Sequence, residues 1–230
     1  MRRFKILVAL CVIVILSGIV FALNQKGEES FTQIMEGNKR FASGNILPKD
    51  ISDAKRKQLC LGQQPFAIVL TCSDSRVPPE LLFDQCLGDI FVVRVAGNVV
   101  APIELGSIEY AAEHLHSPLL FILGHEKCGA VKATLEAKGK PEGNIGEILK
   151  KIMPAATVAK KKGGTPDEML ETAIKENVKN VFNDIMKNSS IIKHLSQEDK
   201  LKIVAGEYML TTGKVEMIDL PKVAPAKSKH

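Results

Sequence analysis

Two short stretches of this chain concentrate groups that could do chemistry. Cys72-Ser73-Asp74-Ser75-Arg76 supplies a thiol, a carboxylate and a guanidinium, and His125-Glu126-Lys127-Cys128 supplies an imidazole and a second thiol. Cys72, His125 and Cys128 form a Cys₂His set, which zinc accepts while keeping its fourth tetrahedral position open. Structural zinc sites are usually closed by four ligands, often from two CxxC-type pairs. No further Cys or His stands in a comparable place here. An open position takes water, and zinc lowers the pKa of that water from about 15.7 toward about 7. Two thiolates formally cancel the charge of the ion, so ionisation is expected somewhat on the alkaline side of neutrality. Asp74 follows Cys72 closely enough to accept the proton of the water and to orient what remains. Arg76 can hold Asp74 in a bidentate pair that keeps the carboxylate ionised and turned off the metal. The blander reading is that Asp74 and Arg76 are only a structural pair at a turn.

The elements around these residues must bring them together. Phe66-Ala67-Ile68-Val69-Leu70-Thr71 is a short apolar run rich in β-formers and reads as a buried strand ending at Cys72. Leu119 to Leu123 reads the same way and ends at Gly124-His125, and Ile90 to Ala96 is a third such run. Turn residues and then helical spacing follow each. That alternation predicts an α/β fold, a central mostly parallel sheet flanked by helices, with sites at the carboxyl ends of the strands. Phe31 to Ser43 is expected to be an N-terminal helical arm, with Phe31, Ile34, Met35 and Phe41 near one face. Ile103 to Leu115 and Val131 to Lys138 are expected helices. Met169 to Ile185 carries an amphipathic stripe whose plain meaning is core packing. Lys160-Lys161-Lys162-Gly163-Gly164 reads as a solvated helix end and loop. A last strand pair is expected over Lys202 to Ile218, turning at Thr211-Thr212-Gly213.

Read together, these motifs resemble the β-class carbonic anhydrases. The resemblance rests on Cys72-Ser73-Asp74-Ser75-Arg76-Val77-Pro78, Arg94-Val95-Ala96-Gly97-Asn98 and Gly124-His125-Glu126-Lys127-Cys128-Gly129. Gly37-Asn38-Lys39-Arg40-Phe41, Gly62-Gln63 and Thr212-Gly213-Lys214-Val215-Glu216 flank them in the order of the family. It implies reversible hydration of CO₂ to bicarbonate and a proton, through hydroxide on one Zn²⁺ per subunit held by Cys72, His125 and Cys128. It also implies a substrate pocket: Gln63 contacting a substrate oxygen, Phe91 and Tyr110 as apolar wall, and Gly129 letting backbone approach the cavity. Part of that wall would come from a second subunit, so a dimer or tetramer is implied, with the N-terminal helix embracing the partner. Ala96 stands where several relatives carry valine, which would widen the pocket slightly. Cys86 stands where glycine is common. His114, His116 and His194 read as surface or packing residues.

Composition bounds the rest. The chain has 230 residues and is 45% hydrophobic, enough for one sizeable core. Arg2, Arg3 and Lys5 precede an apolar run from Ile6 to Val20, and Val20-Phe21-Ala22 offers a cleavage site. Residues 1–22 are therefore expected to be a secretory signal, or else a retained membrane anchor. Residues 23–220 would be the catalytic domain and 221–230 a flexible basic tail. The protein is expected to be exported, to the periplasm if cleaved, and to meet a membrane only through an uncleaved leader. The net charge of +5 sits at the ends: without Arg2, Arg3, Lys5, Lys222, Lys227 and Lys229 the body has 25 basic against 26 acidic residues. Nothing in that balance supports a nucleic-acid surface, and none is expected. Cys60 and Cys86 are expected to be packing thiols, the alternative being that one is reactive or paired. Two other functions stay open: a carbonyl sulfide or carbon disulfide hydrolase on the same scaffold, and a non-enzymatic zinc or redox protein. An intact Asp74–Arg76 pair argues against the last.

Overall fold

The computed structural model describes residues 25–139 and 143–221; the expected leader and nearly all of the expected tail lie outside them. Helix α1 spans residues 25–42. It is followed by α2 (Asp53–Leu59), β1 (Ala67–Thr71), α3 (Pro79–Leu82) and β2 (Ile90–Arg94). Next come a 3₁₀ turn at Ala96–Asn98, α4 (Pro102–Glu109), a π turn at Tyr110–His114 and β3 (Leu119–His125). The chain then runs through α5 (Gly129–Glu136), α6 (Ile145–Lys162), α7 (Pro166–Asn188) and α8 (Ser190–Gln197) to β4 (Lys202–Tyr208) and β5 (Val215–Ile218).

The five strands lie in the order β2-β1-β3-β4-β5. The pairs β1–β2, β1–β3 and β3–β4 are parallel, and only β4–β5 is antiparallel. Every residue of β1 and β3 is buried. Both faces of these strands are covered, which is why they read as unbroken apolar runs rather than alternating ones. On one face Ile68, Leu70, Leu120, Ile122 and Ala205 pack with Ile108 of α4, Val178, Val181 and Ile185 of α7 and Ile192 of α8. On the other, Ala67, Val69, Leu119, Phe121 and Leu123 pack with Ile34 of α1 and with Leu82 and Phe83. The two sets alternate along each strand, as a period of two requires.

From β1 the chain moves to β2 on one side, then crosses to β3 on the other. The carboxyl ends of β1 and β3 thus form a topological switch point, where a crevice opens between diverging connections. Cys72 follows β1 directly and His125 closes β3. The register pairs Thr71 with Leu123, so both residues leave neighbouring strand ends at nearly the same level.

Several expectations need adjustment. Phe31, Ile34, Met35 and Phe41 pack with β1 and β3 residues and with Leu82 and Phe83 of their own chain, where α1 comes close to the end of α3. Gly37 makes that approach possible: a Cβ there would stand 1.8 Å from the Phe83 carbonyl oxygen. These side chains are therefore already engaged within one chain, while the opposite face of α1 is exposed. Cys60 is not a packing thiol; it is exposed at the C-cap of α2, a helix with no buried residue. Cys86 is half-buried and donates to the Asp50 carbonyl at 3.1 Å. Helix α6 was visible in sequence only as its lysine-rich end, since Pro154 sits inside it. Among the described residues no helix is long and apolar enough to cross a membrane.

Candidate metal centre

Cys72, His125 and Cys128 converge as the spacing implied. Their ligand atoms all lie within 4.8 Å of one another, and all three residues are buried. Each is set by its element. Cys72 leaves β1; His125 is the last residue of β3; Cys128 is the N-cap of α5, extended at φ −62°, ψ 117°. Between the last two, Lys127 adopts φ +55°, a left-handed turn that costs a non-glycine residue about 1 kcal/mol. That sharp reversal brings Cys128 back beside His125.

The electrostatics suit a soft cation. His125 Nδ1 lies 2.9 Å from the Glu126 carbonyl oxygen, so the proton belongs on Nδ1 and the Nε2 lone pair is free. Nε2 is buried and has no hydrogen-bond partner. A buried acceptor without a partner is costly, and a metal ion among the two sulfurs would satisfy it. The thiols interact strongly. Cys72 is held well below the ordinary thiol range, first by a hydrogen bond from Cys128, then by His125 and the Gly97 amide. Cys128 is pushed up, first by Cys72 beside it and then by burial. A divalent cation displaces the proton that the pair retains. The donor set and the unpartnered Nε2 together fit zinc.

The 3₁₀ turn after β2 cradles Cys72. The Gly97 amide donates to Cys72 Sγ at 3.3 Å. Gly97 has φ +69°, and a Cβ there would meet Ile152 Cδ1 at 2.6 Å, so only glycine fits without displacement. Asn177 of α7 donates to the Gly97 carbonyl at 2.8 Å. Ala96, next in the same turn, is half-buried.

Asp74 and Arg76 form the expected fork. Arg76 Nε donates to Asp74 Oδ1 at 2.9 Å and Nη2 to Oδ2 at 2.8 Å. The Arg76 amide adds a third bond to Oδ1 at 3.0 Å. The Arg76 side chain holds the Asp74 carboxyl below the usual carboxylate range. Oδ2 faces the ligand cluster, 3.8 Å from His125 Nε2. Arg94 was not singled out as a functional residue, yet it ties the region together. It donates to the Cys72 carbonyl at 3.0 Å and to the Asp74 carbonyl at 2.6 Å. A single arginine ending an apolar strand, in step with the Cys72 stretch, was the sequence signal for it.

The pocket residues are less collected. Phe91 and Tyr110 rings lie 6.3 Å apart, but Tyr110 is 48% exposed. Gln63 is exposed and lines a surface depression with Lys55, Gln58, Leu59 and Gly88. Gly129 is exposed at the start of α5, with open space where a Cβ would stand. His114, His116 and His194 are exposed.

A family model described as carbonic anhydrase matches residues 67–215, from the first residue of β1 to the first of β5. The chain belongs to the carbonic anhydrase family. It is 38% identical to the carbonic anhydrase of Mycolicibacterium smegmatis over 198 residues, covering 84% of this chain and 94% of that protein. It is 37% identical to carbonic anhydrase 2 of Mycobacterium tuberculosis over 190 residues, covering 81% and 90%. Solved structures place it in the β class. The β-carbonic anhydrase CafA of Aspergillus fumigatus superposes with TM-score 0.65 at 29% identity, over 71% of this chain and 80% of that one. The Coccomyxa β-carbonic anhydrase, solved with acetazolamide, gives 0.66 at 26% identity, over 72% and 77%. The reaction of this carbonic anhydrase is the reversible hydration of CO₂ to bicarbonate and a proton, and its metal is zinc.

Proposed function

We propose that Cys72, His125 and Cys128 hold one zinc ion per chain and that Asp74, fixed by Arg76, handles the water proton in CO₂ hydration. The observation that carries this is the position of Asp74 Oδ2. It is 3.8 Å from His125 Nε2, close to the ligand cluster, yet its carboxylate is clamped by both arms of Arg76. Zinc held by these three residues would supply an acidified water. Asp74 would accept a hydrogen bond from that water and orient it toward CO₂. Because Arg76 depresses its basicity, Asp74 orients and passes on the proton rather than storing it. The Arg94 bond to the Asp74 carbonyl fixes the turn on which this depends.

The decisive measurement is zinc content with stopped-flow CO₂ hydration. Cys72→Ser should lose most of its zinc and all measurable activity; full zinc occupancy in that variant would overturn the ligand assignment.

The substrate wall is proposed to be completed by a second copy of the chain. Gln63 is exposed, Tyr110 is 48% exposed, and Leu61 and Ile103 stand 92% and 82% exposed near them in sequence. A wall that is to exclude water from an apolar substrate needs cover over such residues. Sedimentation should give at least a dimer at micromolar concentration. A fully active monomer would contradict this.

A further inference from the structure

The zinc-facing direction of His125 depends on the carbonyl of the residue after it. His125 Nδ1 meets the Glu126 oxygen at 2.9 Å, which leaves Nε2 as the ligand atom. That carbonyl can serve only while the Glu126–Lys127 peptide keeps its orientation, and Lys127 is in the strained left-handed region. Something must hold the peptide. The Glu126 amide donates to the Tyr208 carbonyl at 2.9 Å, extending the β3–β4 ladder by one residue. The Glu126 side chain makes a second attachment. Its Oε2 accepts from the Thr211 amide at 3.1 Å and from Thr211 Oγ1 at 3.2 Å.

Thr211 sits at the tip of the β4–β5 hairpin, and that tip is anchored. Met209 accepts from Gly213 at 2.8 Å and donates to Lys214 at 2.8 Å. Asn38 of α1 donates to the Gly213 carbonyl at 2.9 Å and accepts from the Val215 amide at 2.8 Å. Asn38 is itself buried and bonded to the Leu82 carbonyl. The connection therefore runs from a buried asparagine, through a tight hairpin, to a carboxylate beside the metal ligand.

We infer that Glu126 and Thr211 are positioning residues: their paired hydrogen bonds fix the tautomer and aim of His125 and thereby slow zinc release. This rests on the zinc assignment proposed above. The general expectation for residues that orient a ligating histidine is a 10- to 100-fold loss of metal affinity on removal, about. Both bonds are solvent-exposed, so the lower end, about tenfold, is expected here.

The test measures zinc release from full-length protein into a chromophoric chelator, together with long-range ¹H–¹⁵N spectra of the His125 ring in zinc-free protein. Glu126→Ala should release zinc about tenfold faster, and its ring should populate both neutral tautomers. Glu126→Gln should stay near wild type, because its amide oxygen can accept the same two bonds. Thr211→Val should fall between, losing Oγ1 but keeping the amide, and it serves if Glu126→Ala does not fold. Wild-type release in Glu126→Ala with an unchanged ring tautomer would overturn the inference while leaving the zinc site intact. Failure of the wild-type protein to bind zinc at all would instead overturn the assignment on which it stands.

Discussion

Asp74 and Glu207 are two carboxylates near the carboxyl ends of parallel strands in one sheet, and their surroundings push them in opposite directions. Asp74 follows β1, is partly exposed, and accepts three bonds from Arg76. Glu207 lies in β4, is fully buried, and neither of its oxygens has a hydrogen-bond partner. Its neighbours are Glu171 and Lys175 of α7 and, directly across the antiparallel pair, Glu216 of β5. Lys175 Nζ stands 4.0 Å away but is bonded to Glu171 at 2.7 Å. Asp74 is thus held below the carboxylate range, while burial, helped by Glu171, raises Glu207 to about 8. The difference teaches that a charge near the metal is kept by a paired arginine, whereas burial without such a partner favours the neutral acid.

The largest expected effect comes from removing that arginine. Arg76→Ala would leave Asp74 attached to the chain but unclamped, free to swing its carboxylate toward the ligand cluster. Hydration should fall by about 10²-fold or more, the scale for losing a positioned acid–base group. Zinc content should remain near normal, since Arg76 touches none of the ligand side chains in the hydrogen bonds it makes. Asp74→Asn should also lose activity, but an amide has little tendency to compete for the metal. Stopped-flow rates across pH, with zinc assay of each sample, check both. Wild-type rates in Arg76→Ala would mean that the fork is only a structural pair at a turn.

This contrast also shows what the sequence could reveal. The Asp74 corner was legible because its parts are close in the chain: Cys72, Asp74 and Arg76 lie in one turn, and His125 and Cys128 in another. Buried strands announced themselves as apolar runs, so the switch point that joins the two turns could be inferred. The Glu207 corner was illegible. Glu207 interrupts a strand that otherwise reads as core, and nothing local says that Glu171, thirty-six residues earlier, faces it from α7. The Glu126–Thr211 attachment was hidden for the same reason, since it spans a sequence separation of 85. Cys60 was misjudged because cysteine is usually buried, while α2 turns out to have no buried side at all. Gln63, Phe91 and Tyr110 could be named from resemblance, and in one chain Gln63 and Tyr110 are exposed.

A smaller and separate effect belongs to Glu207. Its folded pKa, about 8, lies above the ordinary value of 4.5. Folding therefore favours the protonated form. The associated stability is fully present below pH about 4.5, declines as pH rises, and is lost above pH about 8. The shift is what remains after the nearby Lys175 ammonium has pulled the other way, so stability should fall steadily as pH rises through that window. Glu207→Gln carries no titrating proton, so its stability should depend less on pH between 5 and 8. The NH₂ group of Glu207→Gln would itself need partners and shift the absolute stability, so the slope with pH is the readout. Urea midpoints of the zinc-loaded proteins at several pH values provide it. The wild-type curve should descend toward pH 8 while that of Glu207→Gln stays flatter, and the pH profile of hydration should be shared by both. Parallel stability curves would show that Glu207 is already ionised in the folded protein, and that Lys175 balances its charge despite the long contact.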